Sequence, residues 1–221
     1  IYMNIKYGDV ASAMMSEISG KVPGISLKGI SKEIPWPGSR CGWMEYYNRQ
    51  SNKEFDRLCQ TLDNAKMIEV SSTTLPQRVL PKLMSDRRYA SFIDQNNLAI
   101  KERSDLLTSY FSDLPYIHFN KPNAAFYCTL IFKEGTLKPG QQLEIQNPAI
   151  QKILKEWLGS SDISLDKRFV YYLLAAKGIC VVPISSFCSD LLGFRITLLE
   201  EDKEILKHIL KTISEAIQEY C

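Results

Sequence analysis

The chain has 221 residues, enough for one large domain or two small ones, each with a real core. Its hydrophobic share of 45%, charged share of 24% and formal charge of +2 are those of an ordinary globular protein. No run of five like charges suggests a nucleic-acid tail or a basic membrane arm, and the longest apolar runs, over 169–176 and 179–184, are far too short to span a bilayer.

Residues 1–7 read as the tail of a strand, followed by a short helix over 9–19 in which Val10, Met14, Met15 and Ile18 recur at helical spacing. Gly20 and Pro23-Gly24 break it. A brief strand over 25–30 leads into a loop that holds Lys32, and an aromatic-rich strand over 40–47 leaves it. A lysine at a strand end, in a loop over a sheet, lies where sites gather in open α/β sheets. Residues 52–70 form a helix with Phe55, Leu58, Cys59, Leu62 and Ala65 on one face and Ser51 or Asn52 as its cap, ended by 71–74 and Pro76. A second helix runs over 77–84, bent by Pro81, and a long one over about 87–113. The long helix is polar through its middle third, the pattern of a connector between two domains, so the boundary is placed near residue 100.

Beyond it, 116–119 and 124–132 read as strands, 135–142 as a loop with a Pro-Gly turn, and 150–158 and 166–177 as helices, the second capped by Gly178. Strands over 179–183 and 194–199 precede a closing helix over 201–220. There Ile205, Leu206, Ile209, Leu210, Ile213, Ala216, Ile217 and Tyr220 make a core stripe, with Glu200, Glu201 and Asp202 at the positive end.

Six cysteines, at 41, 59, 128, 180, 188 and 221, show no C-x-x-C spacing and read as reduced thiols of a cytoplasmic protein. His118 and His208 lack ligand-spaced partners, so no metal is expected. Trp36, Trp43, Tyr46 and Tyr47 cluster around the lysine segment; with no basic patch beside them they read as packing rather than base stacking.

One stretch carries chemistry: Ser31-Lys32-Glu33-Ile34-Pro35-Trp36-Pro37-Gly38-Ser39-Arg40-Cys41-Gly42-Trp43. An amine becomes a nucleophile toward carbonyls when burial or a neighbouring cation favours its neutral form. A guanidinium is a rigid fork of donors suited to phosphate. Pyridoxal 5'-phosphate is both a carbonyl compound and a phosphoester, so Lys32 and Arg40 together suggest that cofactor. Spacing alone favours two solvated surface charges.

Leu27-Lys28-Gly29-Ile30-Ser31-Lys32 through Trp43 resembles the cofactor-lysine segment of the fold-type I, class I/II aminotransferases: Ser-Lys or Ala-Lys, then Pro-Gly, Arg and Gly-Trp in this order. The resemblance implies that Lys32 holds the cofactor through its Schiff base and that Arg40 binds its phosphate. In that family Asp-Glu-(Ile or Val)-Tyr precedes the lysine; Ile1-Tyr2 matches its last two letters, so the resemblance implies that Tyr2 hydrogen-bonds the cofactor's phenolic oxygen and puts the Asp just before residue 1. Without the downstream match, Tyr2 reads as an ordinary strand aromatic. Gly29 stands where many members carry a phosphate-contacting Ser or Thr, and Lys28, the rival amine, reads as solvated.

Gly178-Ile179-Cys180-Val181-Val182-Pro183, then Phe187 and Gly193-Phe194-Arg195-Ile196, resembles the family's final motif, which implies that Arg195 holds the substrate α-carboxylate. Physically it alternates to the opposite face from Phe194 and Ile196, and reads equally as a surface arginine in a salt bridge. Pro122-Asn123-Ala124-Ala125-Phe126-Tyr127 resembles a structural turn and strand of the small domain.

The resemblance as a whole implies an α/β, aspartate-aminotransferase-like fold, with 1–100 the remainder of a large cofactor-binding domain and 101–221 a small α+β C-terminal domain. It further implies a homodimer exchanging an amino group between an amino acid and a 2-oxo acid. A carbon–sulfur lyase on the same fold is the enzymatic alternative, which Arg40 disfavours. An inactive C-terminal portion that lacks the other half of the site is the non-enzymatic one.

Overall fold

The computed structural model describes residues 1–159 and 163–221. The chain divides into two compact units, Ile1–Asn97 and Leu98–Cys221.

The first unit is built on an antiparallel ribbon of β1 (Gly24–Gly29) and β2 (Gly42–Tyr47), in register from Gly24 opposite Tyr47 to Gly29 opposite Gly42. Asn48 closes its open end: in the left-handed region at φ 52°, it donates from Nδ2 to the carbonyls of Gly20 and Val22, both at 2.9 Å. Helix α1 is only Met15–Ile18, shorter than the helix expected over 9–19, because Gly8 and Gly20 bracket a segment without one buried residue to hold it. Nor do residues 1–7 form a strand. A turn closed by Ile5 N to Tyr2 O at 3.0 Å buries Ile5 instead.

Helix α2 (Lys53–Met67) is capped by Asn52, whose side chain accepts from Glu54 N and Phe55 N. Of its expected apolar face Cys59 is fully buried, but Leu58 and Ala65 are exposed. Helix α3 (Thr74–Met84) starts earlier than expected and carries Pro76 in its first turn, where a missing N–H costs nothing, and Pro81 within it. Helix α4 (Tyr89–Phe111) contains the boundary between the units.

The second unit is an antiparallel sheet in the order β3 (Ile117–Phe119), β4 (Tyr127–Phe132), β6 (Gly193–Thr197), β5 (Val182–Pro183). Helices α5 (Pro148–Leu158), α6 (Leu165–Lys177) and α7 (Lys203–Tyr220) complete it. Strand β5 is shorter than the 179–183 expected, and β4 starts at Tyr127 because Ala125, at φ 55°, turns the chain out of the ladder. The core is aromatic. Phe169 meets Phe132 at 5.1 Å, Phe194 at 5.4 Å and Tyr220 at 5.1 Å, edge-on to the first and last. The α7 stripe packs as its spacing predicts, from Leu206 to Tyr220, except that Ile205 lies half exposed. All six cysteines stand unpaired. Among the described residues no helix is long and apolar enough to cross a membrane.

Candidate active site

The lysine segment is the excursion between β1 and β2, residues 30–41. Its neck is narrow: Gly29 faces Gly42, and Ile30 N reaches Cys41 O at 3.4 Å. A Cβ at Gly42 would come within 2.8 Å of the Lys28 carbonyl, so the ribbon closes this tightly only with glycine there. Ile30 and Ile34 are buried and anchor the loop. Its far side is a 3₁₀ turn, Pro37–Ser39, in which Ser39 Oγ donates to Trp36 O at 2.7 Å. Arg40 follows in the left-handed region, φ 48° and ψ 42°. A non-glycine residue held there marks a strained turn of the kind that functional loops retain. Its guanidinium is exposed, donates to Pro37 O at 2.8 Å, and pairs with no carboxylate among the described residues.

Lys32 is half-buried in this loop. Next to it the Glu33 carboxylate accepts from Asn4 Nδ2 and, at 2.8 Å, from Tyr89 Oη. Asn97 Nδ2 in turn donates to Asn4 O at 2.8 Å. These bonds tie the lysine loop to helix α4 and to the opening segment that carries Tyr2. Burial, then the Glu33 carboxylate, push the Tyr89 phenol up to about 12. Sequence reasoning passed over Glu33, Asn4, Tyr89 and Asn97; they are too far apart in the chain for any spacing rule to link them. Lys28 is not solvated as expected: it is half-buried on β1, opposite Trp43, its Nζ 3.9 Å from Met3 Sδ. At Gly29 an added Cβ would meet its neighbours only at 3.6 Å, so the departure from Ser or Thr is not forced by space.

The aromatics beside the loop end in hydrogen bonds. Trp43 Nε1 donates to Glu45 at 2.9 Å, Tyr47 Oη donates to the same carboxylate, and Tyr46 Oη donates to Asp63 at 3.0 Å. The bonds from Tyr47 and Trp43 hold the Glu45 carboxyl below its ordinary range.

Arg195 belongs to the second unit, on β6. Phe194 and Ile196 point into the core and Arg195 away from it, as alternation requires. Its guanidinium lies 4.4 Å from the centre of the Tyr127 ring and 4.3 Å from that of Phe187, stacked on both. The surface salt bridge left open by the sequence is not found among the described residues, where no carboxylate pairs with it. The stack immobilises the cation beside an open cleft of about 630 Å³, also lined by His118, Lys121 and Thr129. A guanidinium held flat by aromatic faces keeps its donor edge for a planar anion.

The structure thus brings Lys32 and Arg40 into one loop and ties the Tyr2 segment to it, and gives Arg195 its own aromatic seat. The profile of the family described as aminotransferase class I and II matches residues 1–213, a span that includes all four residues. The chain belongs to that family. An uncharacterized aminotransferase of Methanocaldococcus jannaschii is 43% identical over 220 residues, covering all of this chain and 50% of that protein. The chain therefore spans about half the length of this aminotransferase relative. An alanine aminotransferase from Pyrococcus furiosus has the same fold over 99% of this chain and 48% of its own, with a TM-score of 0.77 at 20% identity. The α-aminoadipate aminotransferase LysN of Thermus thermophilus, solved with N-(5'-phosphopyridoxyl)-L-leucine, matches 98% of this chain and 48% of its own with a TM-score of 0.65 at 12% identity. The mixed α/β architecture of this aminotransferase-family chain is that of solved aminotransferases over about half their length.

Proposed function

We propose that this chain is the C-terminal portion of a pyridoxal-phosphate-dependent aminotransferase. Residues to about 100 are the remainder of its large cofactor-binding domain, and 101–221 its small C-terminal domain. The observation that carries the reading is the lysine loop: a half-buried amine and an exposed guanidinium without a carboxylate partner, held in one glycine-necked excursion. These donors fit the cofactor, an amine for its carbonyl and a fork of N–H groups for its phosphate. When bound, pyridoxal phosphate supplies the carbonyl that condenses with amines and the ring that withdraws electrons from the substrate α-carbon.

The protein's own groups do the rest. Lys32 Nζ would be the nucleophile that holds the cofactor, and once free it would take the proton from the substrate α-carbon as general base and deliver it, as general acid, to the carbon that was the cofactor's carbonyl. Arg40 grips the phosphate, with the turn carbonyl of Pro37 steadying its guanidinium. The Tyr2 hydroxyl would donate to the cofactor's phenolic oxygen. Arg195 orients the substrate carboxylate through paired N–H donors. A 2-oxo acid would be the final acceptor of the amino group, which the cofactor would carry between the two half-reactions.

Full-length protein incubated with pyridoxal phosphate, reduced with borohydride and digested should carry the phosphopyridoxyl mass on the Lys32 peptide, and Lys32→Ala should abolish both that mass and transamination. A label on any other lysine, or transamination surviving in Lys32→Ala, overturns the assignment. A keto product formed from cystathionine without amino transfer would identify the same fold working as a lyase. Because the chain spans half of its relatives, the 221 residues alone should bind the cofactor weakly, and titration with pyridoxal phosphate reads that directly.

A further inference from the structure

Asp166, on the first turn of α6, is fully buried. A carboxylate removed from water must find donors or a cation. Among the described residues no cation pairs with it. Among the described residues its donors are four: Lys167 N at 2.8 Å and Ser185 Oγ at 2.8 Å on Oδ1, and Ser185 N at 2.9 Å and Gly193 N at 3.4 Å on Oδ2. The Ser185 hydroxyl also meets that of Ser164 at 2.8 Å. One carboxylate therefore fastens both ends of the segment 185–193. Two residues beyond the first end stands Phe187, and two residues beyond the second stands Arg195, the pair whose ring and guanidinium stack at 4.3 Å.

The fit around this clamp leaves little play. At Gly193 an added Cβ would lie 2.2 Å from the Leu130 carbonyl, so the start of β6 is pressed against β4. Phe187 is itself half exposed and reaches Arg195 from a 3₁₀ turn, Ile184–Phe187, whose following residue, Cys188, is left-handed at φ 56°. Of the turn's four residues Ile184 is buried, while Ser186 and Phe187 are exposed. The buried anchor beside it is the Asp166–Ser185 contact.

We infer that Asp166 is a positioning residue for Arg195, setting the guanidinium between Phe187 and Tyr127 with its donor edge turned to the substrate carboxylate. The inference rests on the reading of Arg195 as the carboxylate receptor, but its geometric half stands apart from catalysis. Asp166→Asn keeps the size of the side chain and turns one acceptor into a donor facing the Ser185 or Gly193 N–H. Ser185→Ala is milder, removing the hydroxyl and leaving the backbone bond.

Arg195 lies between two rings, so its side-chain Nε–H resonance is displaced by ring currents; Arg195→Lys identifies that signal. In the full chain, Asp166→Asn should move it toward the free-arginine position, and Ser185→Ala should move it part of the way, while signals of residues 1–97 stay in place. In the active full-length enzyme the same variants should raise KM for both amino acid and 2-oxo acid about tenfold, with kcat changed less. An Arg195 signal unmoved in both variants overturns the inference; if Asp166→Asn fails to fold, Ser185→Ala decides. Should the wild-type enzyme show no transamination, the proposed function falls and the resonance alone judges Asp166.

Discussion

Tyr89 shows how one phenol links distant parts of the first unit. Its hydroxyl donates to Glu33 beside Lys32, and burial with that carboxylate raises it from an ordinary 10.0 to about 12. The direction of the linkage follows. Below pH 10 both folded and unfolded chains keep the proton, and the bond contributes in full. Between pH 10 and about 12 the unfolded chain has released it while the folded chain still holds it, so stability falls as pH rises through that window. Urea unfolding across this range should show the decline, and Tyr89→Phe should make it shallower. Tyr220, raised to about 12 chiefly by burial, contributes a similar slope in the second unit and will keep the decline from vanishing. An unchanged slope in Tyr89→Phe would mean that the Glu33 bond is absent in solution. The residues that matter around Lys32 thus include three that no motif names, Asn4, Glu33 and Tyr89.

At the scale of elements, boundaries are decided by caps where a side chain can reach the free N–H groups. Asn52, Asn147 and Asp202 each accept from two backbone amides, and α2, α5 and α7 begin there. Asp202 adds a negative charge at the positive end of the helix that covers the second unit's core, accepting from Glu204 N at 2.9 Å and Ile205 N at 3.0 Å. Asp202→Ala should lower stability by about 1 kcal/mol, read from the urea midpoint at neutral pH, and Asp202→Ser should recover most of it. At the other end of α6, Gly178 at φ 70° ends the helix in the left-handed turn that the sequence suggests. Where no cap and no buried face exist, as over 9–14, the helical spacing of a few apolar residues does not make a helix.

Across the whole molecule, burial is unevenly shared. In residues 1–97 the buried apolar side chains are Ile5, Ile30, Ile34, Cys59, Pro76 and Ile93, while Leu27, Met67, Ile68, Val70 and Leu75 are exposed. The sheet of this unit is a two-stranded ribbon, an arrangement that by itself is marginal in water. The second unit encloses a four-stranded sheet and a continuous aromatic core of Phe132, Phe169, Phe194 and Tyr220. Local opening costs least where few apolar contacts are lost. Amide hydrogen exchange of the 221-residue chain should therefore be fast through β1, β2 and α2 and slow in β4, β6 and α7. Uniform protection across the two units would contradict this distribution of burial.

Much was legible from the residues alone. Helical and alternating periodicities placed α2, α4, α5, α6 and α7 and the strands β1, β2, β4 and β6 to within a few residues, because these elements each bury one regular face or are stopped by a cap or a glycine. The order Lys32, Pro37-Gly38, Arg40, Gly42-Trp43 was enough to indicate the family, since a motif confined to one loop is a local property of the chain. What the sequence alone could not supply depends on residues far apart along it: the Glu33 carboxylate shared by Asn4 and Tyr89, the rings of Tyr127 and Phe187 closing on Arg195, and Asp166 fastening Ser185 and Gly193. Such partners are chosen when buried charge must find donors and stacked cations must find faces. Only the packed chain decides which of many equally ordinary residues are there to meet them.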